Sequence, residues 1–256
     1  MFPWKPDFSK LIAELSRPCL PVSRGEQCLG TQSAFHSLIG KVTHALPGED
    51  WPMRDEGRPI QPLAQRDLQI WPGRPEILGD LEAITVFHEL YASVGLRNGD
   101  GWVLRAYPDA AKLVPMPETH TAEGRIRAAN LIWGPVQKDM PFPDDAPEEK
   151  HRLLAKYYRR FKDEGFCSAA VKLGGYPRIT QHAIEFCDKV PNEEQIREFG
   201  VSFMDTRLPN SANPRFAFQV GSMHELDFYY MDMGILYFGR GTGIHSDEWF
   251  MEGAGA

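Results

Sequence analysis

No run of about 18 apolar residues occurs anywhere in the chain, so no membrane-spanning helix is expected. The opening residues, Met1-Phe-Pro-Trp-Lys-Pro-Asp-Phe8, lack the apolar stretch and small-residue cleavage site of a secretory leader, and a cytoplasmic protein is the expectation. Cysteine is scarce. The four present, Cys19, Cys28, Cys167 and Cys187, are irregularly spaced and form no Cys-x-x-Cys. That argues against a structural zinc site, and in a reducing compartment free thiols are the simplest state. A basic excess is also missing. Lys plus Arg is 28 against 35 Asp plus Glu, a formal charge of −7, which opposes nucleic acid as a partner. His88-Glu89 and His224-Glu225 begin like a zinc-binding His-Glu-x-x-His helix, but Ala92 and Phe228 stand where the second histidine belongs. No metal and no cofactor is expected, and no catalytic constellation emerges; a site assembled from His224, Asp227 and Asp232, or a Cys-His pair of Cys167 or Cys187 with His182, lacks any motif to support it.

What is present describes a folded protein: 42% hydrophobic and 25% charged residues, within the usual globular range. Its 256 residues suffice for one large domain or two small lobes. The 23 glycines and 21 prolines favour short elements and many turns over a helical bundle.

Phe8, Leu11, Ile12 and Leu15 share one helical face, so Asp7 to Leu15 is expected to be helical, ended by Pro18. Cys19 to Pro72 is punctuated by Pro and Gly and reads as loops with short strands. Leu78, Leu81, Phe87 and Leu90 suggest a second helix within Arg74 to Val94, weakened by Gly79. Gly101 to Tyr107 reads as a strand leaving an Asn-Gly-Asp-Gly turn. Arg125 to Val136 fits either strand or helix. The clearest helix spans 147–164, with Pro147 and two glutamates at its start, an apolar stripe of Leu153, Leu154, Tyr157 and Phe161, and Gly165 at its end. Strands are expected at Ala169–Leu173, Val201–Asp205, Arg215–Gly221 and Gly234–Gly239. The expected fold is α+β, with mixed, largely antiparallel sheets and flanking helices.

The chain also echoes itself. Gly40-Lys41 and Pro47 precede Pro62-Leu-Ala-Gln65, which precedes Gly101-Trp-Val-Leu104. Later, Lys172-Leu-Gly-Gly-Tyr-Pro177 precedes Phe216-Ala-Phe-Gln219, which precedes Gly234-Ile-Leu-Tyr237. Such an order suggests duplication of one lobe, giving sub-lobes 19–138 and 165–250 joined by a Pro- and Asp-rich linker, 139–147, and the helix 147–164.

Two stretches resemble a known family. Ile39-Gly-Lys-Val-Thr-His-Ala-Leu-Pro-Gly-Glu-Asp-Trp-Pro52, followed by Gly57-Arg-Pro-Ile-Gln-Pro-Leu-Ala-Gln-Arg-Asp-Leu68, is similar to the Lys-Gly, Trp-Pro and Ala-Gln signature of the YwqG-like proteins, a mostly bacterial family of unknown function. Lys172-Leu-Gly-Gly-Tyr-Pro-Arg-Ile-Thr-Gln181, Phe216 to Ser222 and Asp232 to Phe238 resemble its later motifs. Val42-Thr43, Gly221 and Tyr229-Tyr-Met231 depart from its pattern. The resemblance spans about Gly40 to Phe250 and implies a single module over 1–256, an α+β fold, and immunity-like or other protein-binding roles.

Several residues carry sharper readings. Trp51 after two acids is either an aromatic ligand platform or a lid on the core. Gln65, Gln181 and Gln219 sit in apolar or turn-like surroundings, where an amide either ties loops to strand edges or joins others around a polar ligand. Asp232 is a candidate ligand residue beside them. Gly174-Gly175 and Gly239 to Gly243 read as turns and loops, since neither carries a phosphate-loop signature. Arg152, Lys156, Arg159 and Arg160, with Tyr158 as an aromatic anchor, make a basic helix face that suits an acidic partner or plain solvent. The expected function is a non-enzymatic protein-binding module, immunity-like or regulatory, with a toxin-like or regulatory protein as partner. The alternative is a small-molecule binding protein or unrecognised hydrolase with a pocket near Trp51, Gln219 and Asp232.

Overall fold

The structure, a computed structural model, describes residues 8–27, 34–54, 57–71, 73–89, 95, 97–116, 126–143, 148–161, 165–178 and 215–255. Among them are strands β1 (Arg17–Gln27), β2 (Leu38–Ile39), β3 (His44–Ala45), β4 (Pro62–Asp67), β5 (Ala83–His88), β6 (Trp102–Tyr107), β7 (Val114–Pro115), β8 (Ala129–Trp133), β9 (Gln137–Asp139), β10 (Val171–Gly174), β11 (Arg215–Gly221), β12 (Ile235–Arg240) and β13 (Trp249–Ala254). Two α-helices accompany them, α1 (Phe8–Leu15) and α2 (Glu148–Phe161). None of the described helices is long and apolar enough to cross a membrane.

The α+β expectation is therefore corrected: the fold is mostly β. The misreading has local causes. Arg74 to Val94 was expected to be helical on its leucine spacing, but Gly79 and Asp80 break it after a single 3-10 turn at Glu76–Leu78. The following Ala83-Ile-Thr-Val-Phe-His88 is β-branched and aromatic, and it folds as the fully buried β5. The stretch read as loops from Cys19 contains β1, which has strands on both sides despite Pro18 and Pro21. Pro21 is tolerated because of where it lies. One flank of β1 pairs with β9 at Arg17–Cys19 and with β8 from Val22 onward. Pro21 sits at the changeover, where only its carbonyl is used, accepting from the Gly134 amide at 2.9 Å.

Ten strands follow in the order β13-β12-β11-β10-β1-β8-β2-β4-β5-β6, with β9 beside β1, and every pairing is antiparallel. The two outer strands approach each other. The turn before β6 bridges to β13 through Arg97 and Phe250, and the Asn98 amide donates to the Trp249 carbonyl. The sheet is thus nearly closed into a barrel, which protects its edges. Its inward side chains share one core that draws on both halves of the chain, including Leu63, Val86, Trp102, Phe218, Phe238 and Trp249. The rings of Phe218 and Phe238 stack at 4.5 Å, and Trp102 meets Phe238 edge-on.

The order reads alike from both ends. Gln65 of β4 lies opposite Leu38 and Thr85, and Gln219 of β11 lies opposite Lys172 and Tyr237. Trp102 opens β6 opposite His88, and Trp249 opens β13 opposite Arg240. At the matching ends of β2 and β10 stand Gly40 and Gly174, with φ of +73° and +64°. At Gly174 a side chain would also meet the Pro18 carbonyl at 2.8 Å.

α1 and α2 pack on each other outside the barrel through Leu11, Leu15, Leu154 and Tyr157. Beneath them lies a buried ion pair. The Lys172 Nζ is 2.9 Å from Asp139 Oδ2, and both side chains are 2% exposed. Asp139 also accepts from the amides of Cys167 and Tyr176, and Lys172 donates to the Cys167 carbonyl. One carboxylate thus ties β9, β10 and the loop before β10 together. Asp139→Ala leaves the Lys172 ammonium buried without its counter-charge, and a loss of about 3–5 kcal/mol is expected in urea denaturation. Lys10→Ala, which breaks the exposed pair with Glu14, is expected to leave the urea denaturation midpoint where it is in the parent.

Candidate functional site

Residues proposed from the sequence fall into separate places. Trp51 is buried in a satellite cluster with Val42, Ile60 and Phe87; its Nε1 donates to the Ile60 carbonyl at 2.8 Å. Gln65 accepts from the Thr43 amide at 2.8 Å and donates to the His36 carbonyl at 2.8 Å. Gln219 does the same in the other half: its Oε1 accepts from the Arg178 amide at 2.8 Å, and its Nε2 donates to the Ala169 carbonyl at 3.0 Å. Both amides are 0% exposed and are used to seat the chain that follows a glycine turn. Asp232 lies in an exposed turn, and Gln181 falls outside the described residues. The polar side-chain atoms of Trp51, Gln65 and Gln219 are thus taken up by backbone groups. On α2, Arg152, Lys156, Arg159 and Arg160 are exposed, while Tyr158 is half-buried against Phe142 and Phe166. Among the described residues no three His, Cys, Asp or Glu side chains are placed to hold a metal ion.

A different set of residues stands out. Alternation along β4 turns Gln65 away from Ala64 and Arg66, while a bulge at Leu63 leaves Leu63 and Ala64 both in the shared core, and the Arg66 guanidinium enters that core. Arg66 is 0% exposed. Its Nε, Nη1 and Nη2 have no hydrogen-bond partner. The guanidinium carbon lies 5.8 Å from the Phe218 ring centre and 6.0 Å from that of Trp133, the outer limit of a cation–π contact. The adjacent acid is no help, because Asp67 faces the other way and accepts from the Gln69 amide. Desolvation pulls Arg66 down to about 9, which still leaves it cationic at neutral pH.

His88 is the second such group. It ends β5, is 1% exposed, and has no hydrogen-bond partner on either ring nitrogen. Tyr230, from the loop between β11 and β12, meets its ring edge-on at 5.8 Å. Arg66 pairs with Ile84, four residues before His88 on β5. At about 3.3 Å per residue their backbone positions lie roughly 13 Å apart along the strands. The position matching His88 in the other half is Arg240, which is satisfied: its Nη1 and Nη2 fork onto Asp80 at 2.5 and 2.8 Å, and Nη1 also donates to the Ile77 carbonyl. This pairing holds the Asp80 carboxyl below the usual carboxylate range.

Gln61 and Arg105 also carry a buried atom without a partner, but Arg105 donates to the Asp50 carbonyl and lies 3.9 Å from Glu49. Among the buried side chains described, Arg66 and His88 are the two with every nitrogen unpartnered. Sequence inspection passes over Arg66 because an Arg between Gln and Asp reads as a solvated strand face. The only signal is its parity with Ala64 in a strand whose neighbours are apolar.

The family comparison adds a class. A family model described as a domain of unknown function (DUF1963) matches residues 39–239, well over half of the chain, so the chain belongs to that family. No curated protein matches it. The matched segment runs from β2 to β12 and contains both Arg66 and His88.

Burial pushes His88 down to about 4, so the folded protein leaves it neutral while the unfolded chain binds a proton near pH 6.5. The unfolded state therefore gains protons first as pH falls, and stability is lost between pH 6.5 and 4. The contribution is about 3 kcal/mol over that window. His88→Phe is expected to lack this component, seen as a shallower fall in denaturation free energy than the parent protein from pH 6.5 to 4.

Proposed function

We propose that this protein binds a small anionic ligand inside its β-barrel, with Arg66 as the anchoring cation. One observation carries the reading: a fully buried guanidinium with no hydrogen-bond partner and no counter-charge. Each unsatisfied buried polar group costs roughly 1–3 kcal/mol, and more when charged. A barrel that merely needed filling at this position would be more stable with an apolar residue. An anion removes the penalty, and the planar fork of Arg suits a bidentate oxyanion.

The test uses the full chain, dialysed extensively, with thermal unfolding followed at constant ionic strength. Acetate and phosphate are the first probes. A bound anion at 100 times its Kd should stabilise the protein by about 2.7 kcal/mol. Arg66→Met is expected to unfold roughly 1–3 kcal/mol later than the parent in the absence of added anion, and to show no anion-dependent shift. An Arg66→Met chain that is destabilised, with the parent indifferent to every anion tried, would make Arg66 a structural residue.

Protein binding is the second reading, and the exposed Arg152, Lys156, Arg159 and Arg160 favour it. It is the weaker one, since a solvated helix face has the same look. Native mass spectrometry of protein gently purified from its own host separates them. The anion reading expects a small adduct that is lost in Arg66→Met. A co-purifying protein lost on reversing Arg159 and Arg160 to Glu would instead favour an immunity-like or regulatory role. Within the family, the motifs at Lys172–Gln181 and Phe216–Ser222 support a place among the YwqG-like proteins. The matched seats of Gln65 and Gln219 support two sub-lobes, 19–138 and 165–250, descended from one duplicated unit.

A further inference from the structure

We infer that the anion seated at Arg66 is the single carboxylate of a small organic acid with a flat, apolar body. This inference rests on the reading of Arg66 as an anion seat and goes further, to the class of ligand.

Charge is the first argument. Among the described residues the fully or nearly fully buried cations are Arg66, Lys172 and Arg240. Lys172 is neutralised by Asp139, and Arg240 by Asp80. His88, roughly 13 Å away along the strands, is held neutral by burial. Arg66 is therefore the one of these three cations without a carboxylate partner. A monoanion is balanced by it; a phosphate dianion would leave a second negative charge desolvated and unpaired.

The barrel also contains a precedent. Arg240, like Arg66, is an inward guanidinium beside a tryptophan ring, 5.7 Å from the centre of Trp249. Its partner is one carboxylate, gripped by both terminal nitrogens. Arg66 has its own tryptophan, Trp133, and a phenyl ring, Phe218, but no carboxylate. What Asp80 supplies to Arg240 is the chemistry that Arg66 lacks.

Surroundings set the rest of the ligand. The side chains placed beside Arg66 are apolar and aromatic: Phe218, the half-buried Trp133 at the end of β8, and Ile84 opposite Arg66 on β5. Any polar atom of the ligand other than its carboxylate oxygens would be stripped of water there with nothing to replace it. A flat hydrocarbon body beside Trp133 and Phe218 suffers no such loss.

Isothermal titration of the dialysed full chain tests this with four probes: benzoate, acetate, phosphate and the neutral analogue benzamide. Benzoate is expected to bind at least tenfold more tightly than acetate, and phosphate and benzamide to give no measurable binding. Arg66→Lys, which keeps the charge and loses the fork, is expected to weaken benzoate at least tenfold, and Arg66→Met to abolish it. Arg66→Lys keeps the test decisive if Arg66→Met does not fold. Phosphate binding as tightly as benzoate would overturn the carboxylate class and leave the anion seat standing. Acetate equal to benzoate would overturn the apolar body alone. Failure of all three anions, or benzamide matching benzoate, would overturn the seat as well as the ligand class.

Discussion

An antiparallel sheet of this size must do something with its two free edges, and here they are brought against each other. Contact of β13 with the turn before β6 turns an open sheet into a nearly closed one. Everything else follows from that closure. It gives every strand an inside and an outside, gathers residues from both halves into one dry core, and removes the inward positions from water. A polar group on an inward position then either finds a partner or is left without one.

The two halves answer that demand unevenly. Where the halves match, Arg240 is satisfied by a loop of the opposite half, through Asp80 and the Ile77 carbonyl. Its counterpart, His88, receives only the ring of Tyr230. Arg66 matches no cation at all: the corresponding position on β11 is Val220, a plain core residue. The fold itself therefore has no need of a guanidinium there. By contrast the outward amides, Gln65 and Gln219, are occupied in the same way in both halves and hold the chain after each glycine turn.

Much of this was legible in the sequence where local signals are strong. The apolar stripes of α1 and α2, and the strand at Arg215–Gly221, follow directly from residue spacing. Gln65 and Gln219 were recognisable as amides that need partners when buried, and of the two roles open to them the structure shows the tying of loops to strands. The class of fold was misread because Leu78, Leu81 and Phe87 imitate a helical face, and because two prolines hide the longest of the described strands. Whether a proline disrupts a strand depends on which neighbour lies beside it, and that is a tertiary fact. Arg66 was hidden for a related reason. A strand's parity shows which residues share a face, but not which face is dry until the sheet closes.

β1 crosses from the first half to the second: it lies beside β10. Cys19 therefore waits for Gly174, which leaves the ribosome on the order of 150 residues later. At translation rates of 5–20 residues per second, this is a delay of roughly 8–30 seconds. Throughout it, one flank of an early, partly apolar strand has no partner, so the growing chain is most exposed to misassociation before its second half is made.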